Sequence, residues 1–430
     1  MTTHYSVAVI GGGQAGLSVS YCLQQRRIDH VVFEANKVAH SWRNKRWDTF
    51  CLVTPNWQCA LPGYSYSDYG GDDPNGFMPR DQIVDYVESY AKSFGPPLKE
   101  GVAVTRLRQG KGFELTTSEG EVTADQVVVA TGSYHTPRIP AMAERLPSPI
   151  MQIHSSEYRS PEALPEGAVL VVGSGQSGCQ IAEDLHLAGR QVHLAIGRAP
   201  RSPRMYRGKD VVDWLEQMGY YDLPIDQHPD KEKVRSKTNH YLTGRDGGRE
   251  IDLRQFATEG MALYGRLGDI DGGTLHFKPD LKENLDYADG VAESIKATID
   301  KFIAAQGIDA PEEPPYQPVW QPPEETSKEP LRLNCDAANI TSVIWSIGYG
   351  MDFRWIEIPV FDGKGYPGHR RGVSRCYGLY FLGLPWLYTW GSGRFSGVAQ
   401  DAEYIADAIA ARKIGVSPLL QLVNDAALGS

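Results

Sequence analysis

The residues best suited to chemistry stand in a glycine-rich turn near the start of the chain. Residues 5–10 predict a buried strand, residues 11–16 read Gly-Gly-Gly-Gln-Ala-Gly, and an amphipathic helix is predicted from there to about Arg27. In such a turn the first glycine permits a tight bend, the second admits a pyrophosphate, and the third lets the helix pack closely on the strand. Free N–H groups of the first helical turn attract phosphate. The predicted ligand contacts are Gly11, Gly13, Gln14, Ala15 and Gly16.

An acidic residue completes this unit. Residues 31–33 predict a second strand, and Glu34 follows it, 23 positions after Gly11. A carboxylate at this distance binds ribose hydroxyls in dinucleotide-binding folds. Strand, turn, helix, strand and acid together are far more specific than the glycines alone. We therefore expect this site to take an unphosphorylated adenosine, as in FAD.

The same pattern returns 162 residues later. Residues 168–172 predict a buried strand, residues 173–178 form the turn, and a helix and a strand are expected to about 188 and over 191–196. Here arginines replace the acid, which favours a ribose 2′-phosphate and therefore NADPH. A solvated loop is the alternative reading of these arginines. The predicted contacts are Gly173, Ser174, Gly175, Gln176, Ser177, Gly178, Arg198 and Arg201.

Composition and charge narrow the function classes. The 430 residues are 41% hydrophobic and carry a formal net charge of −10, which argues against a nucleic-acid partner. The six cysteines form no C-x-x-C and no zinc spacing, so we expect no metal and reduced thiols. No signal peptide and no apolar run of about 20 residues is evident, which predicts a cytoplasmic protein without membrane contact.

Other stretches bear on the site. The long irregular region 35–80 is predicted to cover a cofactor, because loops of this length usually have a function. The start of the last predicted helix, near Ser396, is placed to offer N–H donors to a flavin. Residues 203–310 show no clear pattern and are expected to help shape the substrate pocket. Residues 311–330 hold seven prolines, which leaves open a linker, a cover over the active site or a subunit contact.

These features together resemble the two-dinucleotide-domain flavoproteins, and specifically the class B flavin-dependent monooxygenases. The resemblance covers nearly the whole chain and adds the pairs Trp42-Arg43 and Ile347-Gly348 to the two glycine turns. Residues 47–63 are similar to the plant indole-pyruvate monooxygenases. The whole chain is most similar to a bacterial subfamily of flavin oxidoreductases often encoded beside a nitrilase. Further cofactor contacts are expected at Trp42, Arg43, Val104, Ala130, Thr131, Gly132, Ile347, Gly348 and Gly383.

The resemblance implies an architecture and a reaction. The fold would be α/β, with two Rossmann-like dinucleotide-binding domains and the NADPH domain inserted into the FAD domain. The expected division is 1–160, 161–330 and 331–430, where the first and last parts form the FAD domain. The reaction would be oxygenation of a small organic substrate at nitrogen, sulfur or a carbonyl by O2, through a C4a-peroxyflavin, with Asn56 as a donor to that adduct.

The sequence departs from the family in one motif. Of Phe-x-Gly-x-x-x-His-x-x-x-Phe/Tyr only His154 and Tyr158 remain, with Ser148 and Ile150 in place of Phe and Gly. Baeyer–Villiger activity is therefore not predicted from the motif, and His154 is interpreted as a structural hinge residue.

Three alternatives stay open at this point. An NADPH oxidase that releases hydrogen peroxide would differ from a monooxygenase only in the lifetime of the adduct. A flavin disulfide reductase would need a cysteine pair at the flavin, for which Cys51 and Cys59 are the candidates. A flavin-binding sensor without turnover would use the proline-rich segment to bind a partner. The sequence does not reveal whether the chain forms a homo-oligomer.

Overall fold

Each glycine turn lies at the carboxyl end of an interior strand that has parallel neighbours on both sides. The computed structural model describes residues 2–325 and 328–413, so residues 414–430 of the predicted third segment lie outside the described residues. The helices are α1 Gln14–Gln25, α2 His40–Asn44, α3 Arg80–Phe94, α4 Gln176–Leu187, α5 Val211–Gln217, α6 Leu253–Thr258, α7 Leu281–Gln306 and α8 Val398–Lys413. Short 3-10 segments are Asn56–Gln58, Ala141–Arg145, Pro161–Ala163, Tyr220–Asp222, Lys231–Ser236 and Arg245–Gly247.

The strands, in chain order, are β1 Thr3–Ile10, β2 Val31–Glu34, β3 Ala60–Leu61, β4 Tyr64–Ser65, β5 Leu98–Glu100, β6 Val104–Gln109, β7 Phe113–Thr117, β8 Gly120–Val129, β9 Thr136–Pro137, β10 Met151–His154, β11 Ala168–Val172, β12 Val192–Ala195, β13 Met205–Tyr206, β14 Lys209–Asp210, β15 Ala262–Tyr264, β16 Leu267–Asp271, β17 Thr274–Phe277, β18 Arg332–Asn334, β19 Ile340–Trp345, β20 Tyr349–Gly350, β21 His369–Arg370, β22 Val373–Ser374 and β23 Leu379–Phe381.

The first sheet surrounds β1. Its order is β21-β22-β23-β8-β1-β2-β5, with β6 and β7 joined to β8 as an antiparallel meander. Strand β1 runs parallel to both β2 and β8. Its residues Val7, Ala8 and Val9 have no exposed surface, as expected for a parallel strand that is covered on both faces. Helix α1 covers one face and packs against α8.

The second sheet repeats this plan with five parallel strands in the order β10-β19-β11-β12-β15. The glycine-bearing strand β11 again lies between two parallel neighbours. Because this sheet is formed within residues 151–345, it interrupts the first sheet, whose strands come from 3–129 and 369–381. The predicted α/β fold, with one dinucleotide-binding domain inserted into the other, is confirmed.

The second sheet extends past the predicted range 161–330 at both ends. Met151 to His154 pair in register with Ser342 to Trp345, so β10 and β19 both belong to this sheet. The glycine motif marks only the middle of the domain, and the strands that enter and leave it carry no such mark. The pairing between them joins positions about 190 residues apart, which local patterns do not encode.

The proline-rich segment lies along the second domain. Tyr316 donates its hydroxyl to Asp252 Oδ2 at 2.8 Å, and Arg254 donates to the carbonyl of Trp320 at 3.1 Å. The buried Glu329 carboxylate accepts the N–H groups of the first two residues of α7, both at 3.1 Å. This acidic group caps the positive end of the helix dipole. The segment is therefore a packed strap over this domain.

Within the described residues, α7 is the longest helix, and none is both long and apolar enough to cross a membrane. In the same part of the chain, His, Cys, Asp and Glu side chains form no group of three or more that could hold a metal ion.

Candidate cofactor-binding cleft

Two glycines of the first turn are required by the protein itself. Gly11 has φ +107°, and a Cβ there would lie 2.6 Å from the carbonyl oxygen of Ala130. A Cβ on Gly16 would lie 1.8 Å from the carbonyl oxygen of Gly11. Any side chain at these positions would displace main chain, so both glycines are explained by packing alone.

The middle glycine is different. Gly13 has an ordinary φ of −78°, and no protein atom lies within 4 Å of the place a Cβ would take. Helix α1 begins at the next residue without a side-chain cap, so the N–H groups of its first turn face an open space. An open space beside unpaired N–H groups at a helix start fits a pyrophosphate.

Glu34 is held against this turn. Its carboxylate accepts the N–H of Gly12 at 2.7 Å and the N–H of Asn36 at 2.9 Å. Its carbonyl accepts the N–H of Val102 at 2.9 Å, a contact that the sequence did not indicate. The side chain is half-buried and its carboxylate keeps free lone pairs, as a ribose-binding acid requires.

Residues distant in sequence meet at the start of α1. Gln14 donates its side-chain amide to the carbonyl of Gly393 at 2.9 Å and accepts the indole N–H of Trp42 at 3.1 Å. A Cβ on Gly383, which has φ +80°, would lie 2.7 Å from the Cβ of Ala15. The structure therefore brings the predicted residues Trp42 and Gly383 to the first glycine turn.

Two predicted contacts lie elsewhere. Arg43 forms an exposed ion pair with Glu88 of α3 at 2.7 Å. Val104 pairs with Thr117 in the antiparallel meander and packs on the core beneath that meander. Among the described residues, no hydrogen bond or ion pair joins either side chain to the first turn.

The second turn reproduces the geometry of the first. Gly173 has φ +104°, and a Cβ there would lie 2.5 Å from the carbonyl oxygen of Ser346. A Cβ on Gly178 would lie 1.9 Å from the carbonyl oxygen of Gly173. Gly175 meets only the methyl group of Thr238, at an ordinary 3.5 Å, and α4 begins after it without a side-chain cap. The start of α4 beside Gly175 therefore offers a second open space that fits a phosphate.

The side chain of Ser174 shows why no acid is needed here. Its hydroxyl donates to the carbonyl of Gly197 at 3.1 Å and accepts the N–H of the same residue at 3.0 Å. It thus joins the turn to the end of β12, as Glu34 does in the first domain. Gln176 is half-buried and Ser177 exposed, both in the first turn of α4.

The two arginines predicted to read a 2′-phosphate are placed very differently. The Arg198 side chain is 62% exposed, stacks 4.3 Å from the ring centre of Tyr287 and lies 3.5 Å from Glu283. Arg201 is 1% exposed and forms ion pairs with Glu250 and Asp289. Although burial opposes it, these two carboxylates raise the pKa of Arg201. The Arg201 charge is thus neutralised within the protein. Of the two arginines, Arg198 is the one accessible to a phosphate, which would compete with the exposed Glu283 for its guanidinium.

A small-residue turn follows an interior strand in both domains. Residues 130–132 follow β8, and residues 346–348 follow β19. Gly132 and Gly348 have φ +74° and +84°, with no protein atom within 4 Å of a Cβ at either. Thr131 is exposed, and Ile347 is 38% exposed. Thr131, Gly132, Ile347 and Gly348 therefore border open space next to the two cradles, whereas Ala130 is buried in the core.

His154 supports the crossing between the domains. It is fully buried, its Nε2 lies 3.1 Å from the carbonyl oxygen of Gly348, and its Nδ1 lies 3.0 Å from the hydroxyl of Ser156. Burial lowers the pKa of His154, which favours a neutral ring that donates from Nε2. This arrangement agrees with the interpretation of His154 as a hinge residue.

Asn56, predicted as a donor in catalysis, is bound within its own loop. Its Nδ2 donates to the carbonyl of Asp73 at 2.9 Å, and its Oδ1 accepts the N–H of Met78 at 2.8 Å. The side chain is 2% exposed. Both polar atoms are used to hold residues 73–78, so we assign Asn56 to the support of this loop. The resemblance to relatives with an asparagine near the flavin implied the donor role of Asn56, and that role stays a prediction.

The residues that join the two cradles carry no sequence motif. Thr238 contacts the second turn, and the neighbouring Asn239 accepts a hydrogen bond from Arg394 at 3.1 Å. Arg394 in turn follows Gly393, the residue that Gln14 binds at the first turn. Residues 238–239, from the unpatterned region 203–310, thus form a connection between the two sites.

Comparison with known proteins places the chain in a family. Residues 8–220 match the pyridine nucleotide-disulphide oxidoreductase family. A CzcO-like oxidoreductase of Geobacillus kaustophilus is 34% identical over 407 residues, covering 94% of this chain and 97% of that protein. This chain belongs to the CzcO-like oxidoreductases. The indole-3-pyruvate monooxygenase YUCCA1 of Oryza sativa is 30% identical to this chain over 193 residues, which cover 44% of this chain and 47% of the rice protein.

A solved structure has the same fold as this chain. The flavin-containing monooxygenase of Stenotrophomonas maltophilia superposes with a TM-score of 0.64 at 16% identity, covering 96% of this chain and 99% of that chain. The predicted resemblance to flavin monooxygenases and to plant indole-pyruvate monooxygenases is confirmed. The association with a nitrilase gene stays a prediction.

Proposed function

We propose that the chain is an FAD-dependent monooxygenase that uses NADPH and O2 to oxygenate a small organic substrate. The observation that carries this proposal is the pair of open cradles at Gly13 and Gly175, which residues 238–239 and 393–394 connect. Two redox dinucleotides held at connected sites can exchange hydride. The family relation to flavin monooxygenases supports the choice of FAD and NADPH.

Specific residues would hold each cofactor. The N–H groups at the start of α1 would bind the FAD pyrophosphate, and Glu34 would bind its ribose. The N–H groups at the start of α4 would bind the NADPH pyrophosphate, and the exposed Arg198 would bind the 2′-phosphate. When bound, FAD would accept hydride from NADPH and activate O2.

The protein itself contributes alignment and exclusion of water. Trp42 stacks on Phe395, with ring centres 5.6 Å apart, and its indole N–H fixes the side chain of Gln14. Residues 220–240 close over the loop 386–394 through the N–H of Ile225 on the carbonyl of Tyr388 at 2.7 Å. These contacts would help to keep water away from a bound flavin.

The observed thiols weaken the disulfide-reductase alternative. Cys51 and Cys59 are both free, and burial raises the pKa of the Cys59 thiol to about 12. A buried thiol of this pKa is a poor redox nucleophile.

The test is anaerobic mixing of the purified yellow protein with NADPH, followed by addition of O2. Bleaching of the flavin absorbance by NADPH, and consumption of O2 without an equal yield of hydrogen peroxide once a substrate is present, are expected. A Gly175→Ala variant serves as the control, since it should keep its flavin and lose rapid bleaching. Failure of NADPH to bleach the native protein would refute the proposal, and complete conversion of O2 to peroxide with every substrate tried would identify an oxidase.

A further inference from the structure

Arginines deep in this protein are normally paired with carboxylates. Among the described residues, the three buried arginines Arg201, Arg204 and Arg254 each have an aspartate within 3.1 Å. This is the expected solution, because a desolvated charge is costly unless a group of opposite sign lies beside it.

Arg394 is half-buried and is held differently. Its guanidinium donates to the carbonyl of Trp390 and to Oδ1 of Asn239, and no carboxylate of the described residues lies within ion-pair distance. Burial lowers the pKa of Arg394, and the groups that act against this are the phenols of Tyr134, Tyr220 and Tyr221. Two of its five N–H donors are thus used, and its charge lacks a counter-ion from residues 2–325 and 328–413.

A second guanidinium shares this environment. Arg46 is half-buried over the rings of Trp42 and Phe50, at 5.1 and 5.5 Å from their centres, and it too has no carboxylate partner in the described chain. Burial lowers the pKa of Arg46, with Tyr349 and Tyr134 as its electrostatic neighbours. Tyr134, 59% exposed, is therefore common to both cations.

The walls around Arg394 are flat and apolar. Its guanidinium stacks 4.1 Å from the ring centre of Trp390, which lies 4.7 Å from the ring of Tyr221. Tyr134 packs 5.0 Å from Tyr349. Phosphate cradles in this protein are instead made of glycines and main-chain N–H groups. Aromatic walls around an unpaired guanidinium suit a flat organic acid better than a phosphate.

We propose that Arg394, held by Asn239 and Trp390, binds the carboxylate of the substrate, so that the enzyme acts on flat organic acids with an aromatic or similarly planar body. This assignment rests on the proposed function and adds the substrate class to it. Arg394 is suited to the task because its main chain adjoins Gly393 at the first cradle and its side chain reaches the segment that contacts the second.

The experiment is calorimetric titration of the flavin-loaded protein with benzoate, phenylacetate and 3-phenylpropionate, and with the neutral amide of each. At least one acid is expected to bind about tenfold more tightly than its amide, as for a charge-assisted hydrogen bond. Arg394→Gln should abolish this preference and Arg394→Lys should keep part of it. Arg108→Gln, which removes a charge from an exposed pair with Glu357, is the matched control and should keep all of it.

Three results would overturn the assignment. The first is equal binding of every acid and its amide to the native protein. The second is an Arg394→Gln variant that keeps the preference for acids. The third is an Arg394→Gln variant that is purified without flavin. The last result would show that Arg394 serves FAD binding instead of substrate binding. None of these measurements requires turnover, so failure of the proposed oxygenation and failure of this assignment remain distinguishable.

Discussion

The two kinds of glycine in the first turn predict opposite phenotypes for the same substitution. In Gly13→Ala the new methyl group meets no protein atom within 4 Å, and φ −78° is favourable for alanine. In Gly11→Ala the methyl group lies 2.6 Å from a carbonyl oxygen and φ +107° is strained. The first variant should therefore fold normally and lose its cofactor, whereas the second should lose stability even without cofactor.

The magnitudes follow from the contacts. A methyl group that fills the cradle at Gly13 would separate the pyrophosphate from one N–H group, and a hydrogen bond to a charged group contributes about 1.5–3 kcal/mol. FAD affinity should fall roughly 10- to 150-fold. For Gly11, about 1–2 kcal/mol of left-handed strain adds to about 1–3 kcal/mol of overpacking. The free energy of unfolding of the apoprotein should fall by about 2–5 kcal/mol.

The assay removes FAD, measures apoprotein unfolding in urea, and then titrates FAD by flavin fluorescence. Gly13→Ala should match the native apoprotein in urea and differ only in the titration. Native-like FAD affinity of Gly13→Ala would show that no phosphate lies at this turn. An apoprotein of Gly13→Ala as unstable as that of Gly11→Ala would show that the space beside Gly13 serves folding.

Three further predictions concern charged groups. Arg198→Ala should raise KM for NADPH roughly tenfold and leave KM for NADH nearly unchanged, and equal effects in steady-state kinetics would exclude a 2′-phosphate contact. Arg201→Ala should lower the free energy of unfolding by about 3–5 kcal/mol, because it removes a buried guanidinium that compensates the partly buried carboxylates of Asp289 and Glu250; a loss below that of Arg198→Ala in urea would contradict this. Burial lowers the pKa of His240 from 6.5 to about 4, so the unfolded chain binds the extra proton in this interval and stability should fall as pH drops from about 6.5 towards 4; an unchanged pH profile in His240→Gln would refute this source.

The turns were predictable from sequence because their chemistry is local. A strand, three glycines and a helix start lie within about a dozen residues, and each glycine answers a constraint set by its neighbours. The same constraint recurs at Gly173 and Gly178, which is why the repeat at 162 residues was informative. Fold class follows from two such units.

The rest of the site depends on contacts between distant residues. Arg198 and Arg201 are three positions apart, and the sequence does not show which of them is accessible to a ligand. The carboxylates that pair with Arg201 come from distant positions, Glu250 and Asp289. Nor could the sequence select Asn239 or Arg394, whose contact joins a region without periodicity to a loop 155 residues away. Tertiary packing decides which of several identical side chains is buried and paired, and the neighbouring sequence does not record that choice.

The interleaved sheets also fix an order of assembly during synthesis. The second sheet has all its strands once Trp345 has left the ribosome, whereas the first still lacks β23, whose Leu379 pairs with Val127. The inserted domain can therefore close before the domain that encloses it. Until residues 379–381 arrive, β8 presents an unpaired edge that is fully apolar in Val127, Val128 and Val129. A chain truncated near residue 350 would contain every strand of the inserted domain but would leave the apolar edge of β8 unpaired. Such truncations should therefore aggregate.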